Sequence, residues 1–274
     1  MNPNQQPSTD LPIHARERLA AMRGKDEQHR LFTSDLSVNE FLLVKEAGFD
    51  PVGMVVGCSM YHIGFQWAGV NQNMEMTVLS QAMYHARELA MERMQAEAAA
   101  LGADGIVAVR LTAKHMEWEP NMAEFVAIGT AVKSRTLDIS YRTHDNKPFT
   151  SDLSGQDFWT LLRAGYRPVG MVMGNCVYHV ALQGMGQWFK NMGKNVELTN
   201  FTQALYDARE LAMERMQAEA THLKAQGIVG VQLQEGRYSW SSHVIEFFTV
   251  GTAVIPMRED HHIPTPNLML SLND

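Results

Sequence analysis

Cysteine is nearly absent: two residues in a chain of 274 exclude a disulfide framework. No run of about 18 apolar residues occurs, so no transmembrane helix is expected. The N-terminal stretch MNPNQQPSTDLPIHARERLAAMRGKDEQHR lacks the apolar segment of a secretory signal, and a cytoplasmic protein is the expectation. Positive charge is not in excess either: 23 Lys and Arg against 30 Asp and Glu leave a net charge of −7. Such a chain has no surplus to neutralise phosphates, which argues against a nucleic-acid partner. It equally disfavours electrostatic attachment to anionic membranes. The motifs of common chemistries are missing too. There is no G-x-S-x-G, no P-loop, no G-x-G-x-x-G between strand and helix, no C-x-x-C and no H-E-x-x-H. A non-enzymatic protein is expected.

What the sequence does contain is a core and a repeat. Apolar residues make up 45% of the chain, enough to bury a core, and 19 are methionines, flexible fillers of apolar gaps that can also act as soft metal ligands. Sliding the chain on itself by 117 positions lays FTSDLSVNEFLLVKEAGFDPVGMVVGCSMYH (32–62) over FTSDLSGQDFWTLLRAGYRPVGMVMGNCVYH (149–179), with 17 identities in 31 positions. The offset then grows to 122, and ARELAMERMQAEA at 86–98 recurs at 208–220 without one substitution. Two homologous units follow, 31–137 and 148–257, with a polar arm at 1–30, a linker at 138–147 and a tail at 258–274.

Each unit reads as β-α-β-β, giving an α+β fold of antiparallel sheet packed on a long helix. Phe49-Asp50-Pro51 and Tyr166-Arg167-Pro168 suggest turns, since proline fixes its own φ and extends the residue before it. The apolar, glycine-punctuated VGMVVGCSMYHIG and VGMVMGNCVYHVA suggest strands. Glycine inside a strand marks a bulge or a close backbone approach. Helices are predicted over about 77–101 and 199–223, with Leu79, Met83, Ala86, Ala90 and Met94 on one face. Gly102 is placed to cap the first of them. A hairpin around Glu119-Pro120-Asn121, and its counterpart in the second unit, complete the pattern.

Core packing constrains only the buried stripe of a helix. Identity on both faces of the thirteen-residue stretch therefore gives the polar face a task as well. Arg87, Glu88, Glu92, Arg93 and Glu97 in the first copy, with Arg209, Glu210, Glu214, Arg215 and Glu219 in the second, are expected to meet neighbouring units. Trp118 and Trp240 align near the hairpin tips and suit contacts between subunits. Glu124 and Glu246 are aligned carboxylates inside apolar strands and need a partner, as salt bridges or as a pore lining.

Metal ligation needs several N, S or O donors that converge. The best constellation is Cys58 with His62 and Cys176 with His179. Cys58 and His62 share a strand face, whereas Cys176 and His179, three apart, fall on opposite faces of a regular strand. Cys58 aligns with Asn175 and Cys176 with Ser59, so neither unit reproduces the other's thiol. His62 and His179 do align, each after a tyrosine, and a structural hydrogen bond competes with ligation at both. His261-His262 in the tail attracts metal only adventitiously.

The segments VGMVVGCS, ARELAMERMQAEAAALGADGIVAVRL and FVAIGTAV, with VGMVMGNC, ARELAMERMQAEATHLKAQGIVGVQL and FFTVGTAV in the second copy, resemble the YbjQ family of heavy-metal-binding domains. The resemblance implies a dodecin-like β-α-β-β subunit that assembles into a ring, commonly of five. Five chains of this tandem would carry ten units. The leading expectation is thus a homo-oligomeric assembly or scaffold protein without an assigned cofactor. The alternative is a binder of a transition metal or small ligand, with sites at unit or subunit interfaces.

Overall fold

The computed structural model describes residues 11–23, 32–62, 72–116, 119–136, 139–181, 197–237 and 244–261. Among these, the first unit contains α2 (Val38–Glu46), β1 (Phe49–His62), β2 (Met74–Glu75), α3 (Thr77–Ala100), β3 (Gly105–Met116) and β4 (Glu119–Ser134). The second contains β5 (Phe149–Thr150), α4 (Gly155–Arg163), β6 (Tyr166–His179), α5 (Thr199–His222), β7 (Gly227–Arg237) and β8 (Val244–Pro256). Ahead of both lies α1 (Ile13–Arg23), inside the segment read as a polar arm. The helix returns to the body through Arg18, whose guanidinium meets Glu97 at 2.5 Å and the carbonyl of Met54 at 3.3 Å. No described helix is long and apolar enough to cross a membrane.

The two long helices and three long strands of each unit fall where the sequence predicts them. Two short helices, α2 and α4, were not anticipated. Their signal is local: Ser37 caps α2 and forms a full capping box with Glu40, and Ser154 accepts from the Asp157 amide. The bond network around Ser37 holds the Glu40 carboxyl below its ordinary range. The expected turns at Pro51 and Pro168 are instead strand residues. β1 and most of β6 are edge strands, so a proline there removes no ladder hydrogen bond, and the register slips between Pro51 and Gly53 and between Pro168 and Gly170. Likewise β4 begins at Glu119, so the residues read as a hairpin loop continue the strand.

Helix and sheet approach closely in both units. A Cβ placed on Gly57 would lie 1.9 Å from the carbonyl oxygen of Ala90, and one on Gly174 would lie 2.1 Å from that of Ala212. Alanines at 86, 90, 208 and 212, all fully buried, complete the fit from the helix side. Gly102, at φ +73°, closes α3 in the left-handed conformation that glycine takes without strain.

The sheets are not private to their units. The first has the order β1-β4-β3-β5 and the second β2-β6-β8-β7. β5, from the second unit, pairs in parallel with β3 of the first. In return β2, from the first unit, pairs with Tyr178 and His179 at the end of β6.

Candidate functional site: the seam between the two units

Helix α3 lies between two sheets. One face packs on its own sheet through Met83, Ala86, Ala90 and Met94, against Val55, Phe125 and Ala127. The opposite side lies on the outer face of the second sheet. There Met171, Val177 and Val244 join the α3 core, while Tyr84 and Leu111 pack on Met173, Phe248 and Val250. Strands β6 and β8 of the second sheet are thus covered on both faces, by α5 and by α3.

Polar groups fix the register of this seam. Arg87, 4% exposed, meets Glu246 at 2.7 Å, with its guanidinium 4.2 Å from the ring centroid of Phe248 and 5.4 Å from that of Phe125. A buried charge requires such a partner, and Arg adds its planar face to two rings. Arg215 reaches Glu75 at 2.7 Å and the Asn175 carbonyl at 2.6 Å. The Asn175 side chain donates to the Ser80 carbonyl at 3.0 Å, and the Val177 amide donates to the Ser80 hydroxyl at 2.9 Å. The Met76 amide donates to the Val177 carbonyl at 2.8 Å. The Tyr84 hydroxyl donates to Glu219, whose other oxygen accepts from the Met173 amide at 2.7 Å. Burial, more than these bonds, lifts the Glu219 carboxyl above its ordinary range, and burial likewise raises Tyr84.

At the other end of the seam, residues 149–153 lie along β3. The amides of Phe149 and Ser151 donate to Asp104 and Ile106, and those of Ala108 and Val109 donate to Leu153 and Ser151. Phe149 and Phe158 stack with centroids 5.9 Å apart, and both are fully buried with Phe49 and Val107. A cavity of about 400 Å³ opens along the seam, lined by Tyr84, Glu88, His144, Asp145, Glu219 and His222 among others.

The remaining sequence candidates are dispersed. Cys58 and His62 lie on the exposed face of β1 with Met60 between them. Cys176 is buried in the other sheet against Ala204, Ala208 and Ala212, and burial pushes its thiol up to about 12, far from a thiolate ligand at neutral pH. His179 meets the backbone carbonyl of Gln72 through Nδ1 at 3.1 Å. Among the described residues no group of three or more His, Cys, Asp or Glu is arranged to hold a metal ion. The four candidates therefore do not form one ligand set within the single chain.

Of the polar helix residues, Arg87, Arg215 and Glu219 cross between the units. Glu88 and Glu92 line the cavity. Arg93 donates to the Cys58 carbonyl of its own unit at 2.6 Å, and Glu97 accepts from the Val56 amide at 2.9 Å. Arg209 stacks on Tyr206 at 4.3 Å, and Glu210 and Glu214 are exposed. Glu246 is the buried partner of Arg87, whereas Glu124 is half-exposed. Trp118 and Trp240 lie outside the described residues. Sequence reasoning missed Glu75, Ser80, Tyr84 and Asn175. None of them carries a local signal, because each acts across more than 90 residues of chain.

This arrangement defines a class: a tandem of two related α+β units locked by a shared helix and exchanged strands. Residues 72–135 and 164–256 match the family profile described as "Putative heavy-metal-binding". The chain belongs to this YbjQ family as a two-copy member. It is 47% identical over 266 residues to the Encapsulin nanocompartment protein Rv1762c of Mycobacterium tuberculosis, covering 97% of this chain and 99% of that protein. A UPF0145 protein of Pseudothermotoga lettingae is 36% identical over 95 residues, 33% of this chain and 87% of its own length. Another from Acinetobacter baylyi is 37% identical over 70 residues, 26% of this chain and 63% of its own.

Proposed function

We propose that the protein is a non-enzymatic homo-oligomer: a closed, cytoplasmic ring of five chains that serves as an assembly component of an encapsulin-type nanocompartment. One observation carries the self-assembly. Strands β6 and β8 of the second sheet are covered on both faces, whereas the matching strands of the first unit keep one face open, with Met60 49% exposed and Cys58 and His62 beside it. Exposed apolar patches of this kind mark interaction surfaces. The nanocompartment setting is supported by the full-length similarity to the mycobacterial protein, and the ring of five by the resemblance to the family. The division into units at 31–137 and 148–257 belongs to the same reading, supported by the two matched segments.

Native mass spectrometry of the untagged full chain, in metal-free and metal-supplemented buffer, tests this. The expected mass is about five times the 30.8 kDa chain, without bound metal. A monomer at micromolar concentration overturns the proposal. A ring holding a fixed number of metal ions, lost in the His62→Ala/His179→Ala double variant, would favour the second reading, a metal or small-ligand binder whose sites complete only between chains. The seam cavity, with its two histidines and half-buried Glu219, supports the small-ligand form of that reading.

A further inference from the structure

The seam inside the chain has two sides, and each side has an unused twin elsewhere on the molecule. One side is the outer face of α3 with the edge of β3. Its twin is the outer face of α5 with the edge of β7. The other side is residues 149–153 with the outer face of the second sheet. Its twin is residues 32–36 with the outer face of the first sheet.

The sequences of the twins agree. FTSDLS stands at 32–37 and at 149–154, and GIVAVRL of β3 at 105–111 corresponds to GIVGVQL of β7 at 227–233. Their backbones agree as well. Ala108 at φ +53° and Gly230 at φ +67° shape the same bulge in the two edge strands. In β3 this bulge turns the amides of residues 108 and 109 toward the added segment. The segment 32–36 is set as its twin is: the Ser34 hydroxyl lies 3.1 Å from Thr130 Oγ1, the Asp35 amide donates to Thr130, and the Met54 amide donates to Thr33. The same three bonds join Ser151, Asp152 and Met171 to Thr252 and Thr150. Phe32 even stacks on Phe41, as Phe149 does on Phe158.

Only the burial differs. Phe149 is fully buried and Phe32 is 45% exposed; Val109 is 3% exposed and Val231 is 43%. Met76 is 2% exposed against 41% for its counterpart Leu198, and Leu233 and Tyr206 are exposed where Leu111 and Tyr84 are covered. An open strand edge beside exposed apolar side chains is a template for another chain.

We infer that the contact between chains repeats the contact within the chain: residues 32–36 of one copy add to β7 of the next, and α5 of that next copy lies across the open first sheet, pairing Arg209 with Glu124. This deepens the self-assembly reading and rests on it. The contact is head-to-tail, so it propagates around a ring. Every ring built this way contains an even number of units and no free seam. One detail changes at the chain-to-chain seam. Glu97, the counterpart of Glu219, already holds Arg18 of α1, so the place taken by Tyr84 at the inner seam is shared with α1 at the outer one.

The test is charge exchange in the full chain, read by native mass spectrometry at one fixed concentration. Arg209 and Glu124 are each half-exposed in the single chain, so substitution leaves the fold intact. Arg209→Glu alone and Glu124→Arg alone should each cut the assembled fraction at least tenfold, and the double variant should recover most of it. Val231→Pro, which removes an amide from the open edge of β7, should also dissociate the assembly while the melting curve of the chain persists. A wild-type monomer would sink the self-assembly reading itself. An assembled wild type whose three single variants remain assembled, or whose double variant is no better than the single ones, would overturn this inference alone.

Discussion

In α3 the residues ARELAMERMQAEA lie between two sheets; in α5 the same thirteen letters lie against one. The inward alanines behave alike: Ala86 and Ala90, like Ala208 and Ala212, are fully buried, and Ala90 and Ala212 each meet a glycine of the facing strand. The outward residues do not. Arg87 is buried against Glu246 and two phenylalanine rings, while Arg209 rests on its own Tyr206 at the surface. Met91 is 8% exposed and Met213 is half-exposed. Packing within one unit accounts for the shared inner stripe. The identical outer face is explained when both helices end in the same surroundings, one through the second unit and the other through the next chain.

The sharpest way to break that comparison is at the aromatic anchors. Phe149→Ala should destabilise the chain by about 3–5 kcal/mol in urea unfolding, as a large buried ring leaves a cavity. Phe32→Ala should cost the chain itself under about 1 kcal/mol, and act instead on the concentration dependence of unfolding. Equal costs would mean that the two segments are not in the different environments described.

Next in size is the arginine pair. Arg87→Ala breaks the buried pair with the Glu246 carboxylate and should cost about 3 kcal/mol, the lower end for such a loss. Arg209→Ala should change the unfolding of a dilute, dissociated chain by about 0.5 kcal/mol or less and weaken assembly.

The smallest effect concerns Asp152 and Asp35. Arg110 lies 2.9 Å from Asp35, but its counterpart beside Asp152 is Gln232, and burial lifts the Asp152 carboxyl above its ordinary range. A carboxyl raised in the folded state favours folding fully below its unfolded pKa, and that contribution is lost as pH rises through the folded value. Asp152→Asn should therefore raise Tm by about 1–3 °C at pH 7 and give no gain near pH 4, whereas Asp35→Asn, which loses an ion pair, should give no gain at either pH.

Much of the architecture was legible in the sequence because it is written locally. The repeat fixed the number of units, helical periodicity placed α3 and α5, and apolar, glycine-punctuated runs placed β1 and β6. The short helices α2 and α4 were legible too, in the serine caps at 37 and 154, but nine residues give little periodicity to recognise. The exchange of β2 and β5 was not legible. It depends on which of two equivalent edges each short strand meets, and FTSDLS is the same word in both places. The candidate site was half visible: identity on the polar helix face pointed to the seam, but its partners Glu75, Ser80 and Asn175 look like ordinary polar residues until the units are docked.

The most direct measurement is the modification rate of Cys58 by a small maleimide. Cys176 is fully buried, so among the two cysteines only Cys58, on the open face of β1, reports the surface in question. Assembled wild-type protein should protect Cys58 by at least about tenfold relative to the dissociated Glu124→Arg variant, as burial under a neighbouring helix requires a local opening before reaction. Equal rates in an assembled ring and in the dissociated chain would contradict it, because the first sheet would then still face solvent where the next chain's α5 should lie.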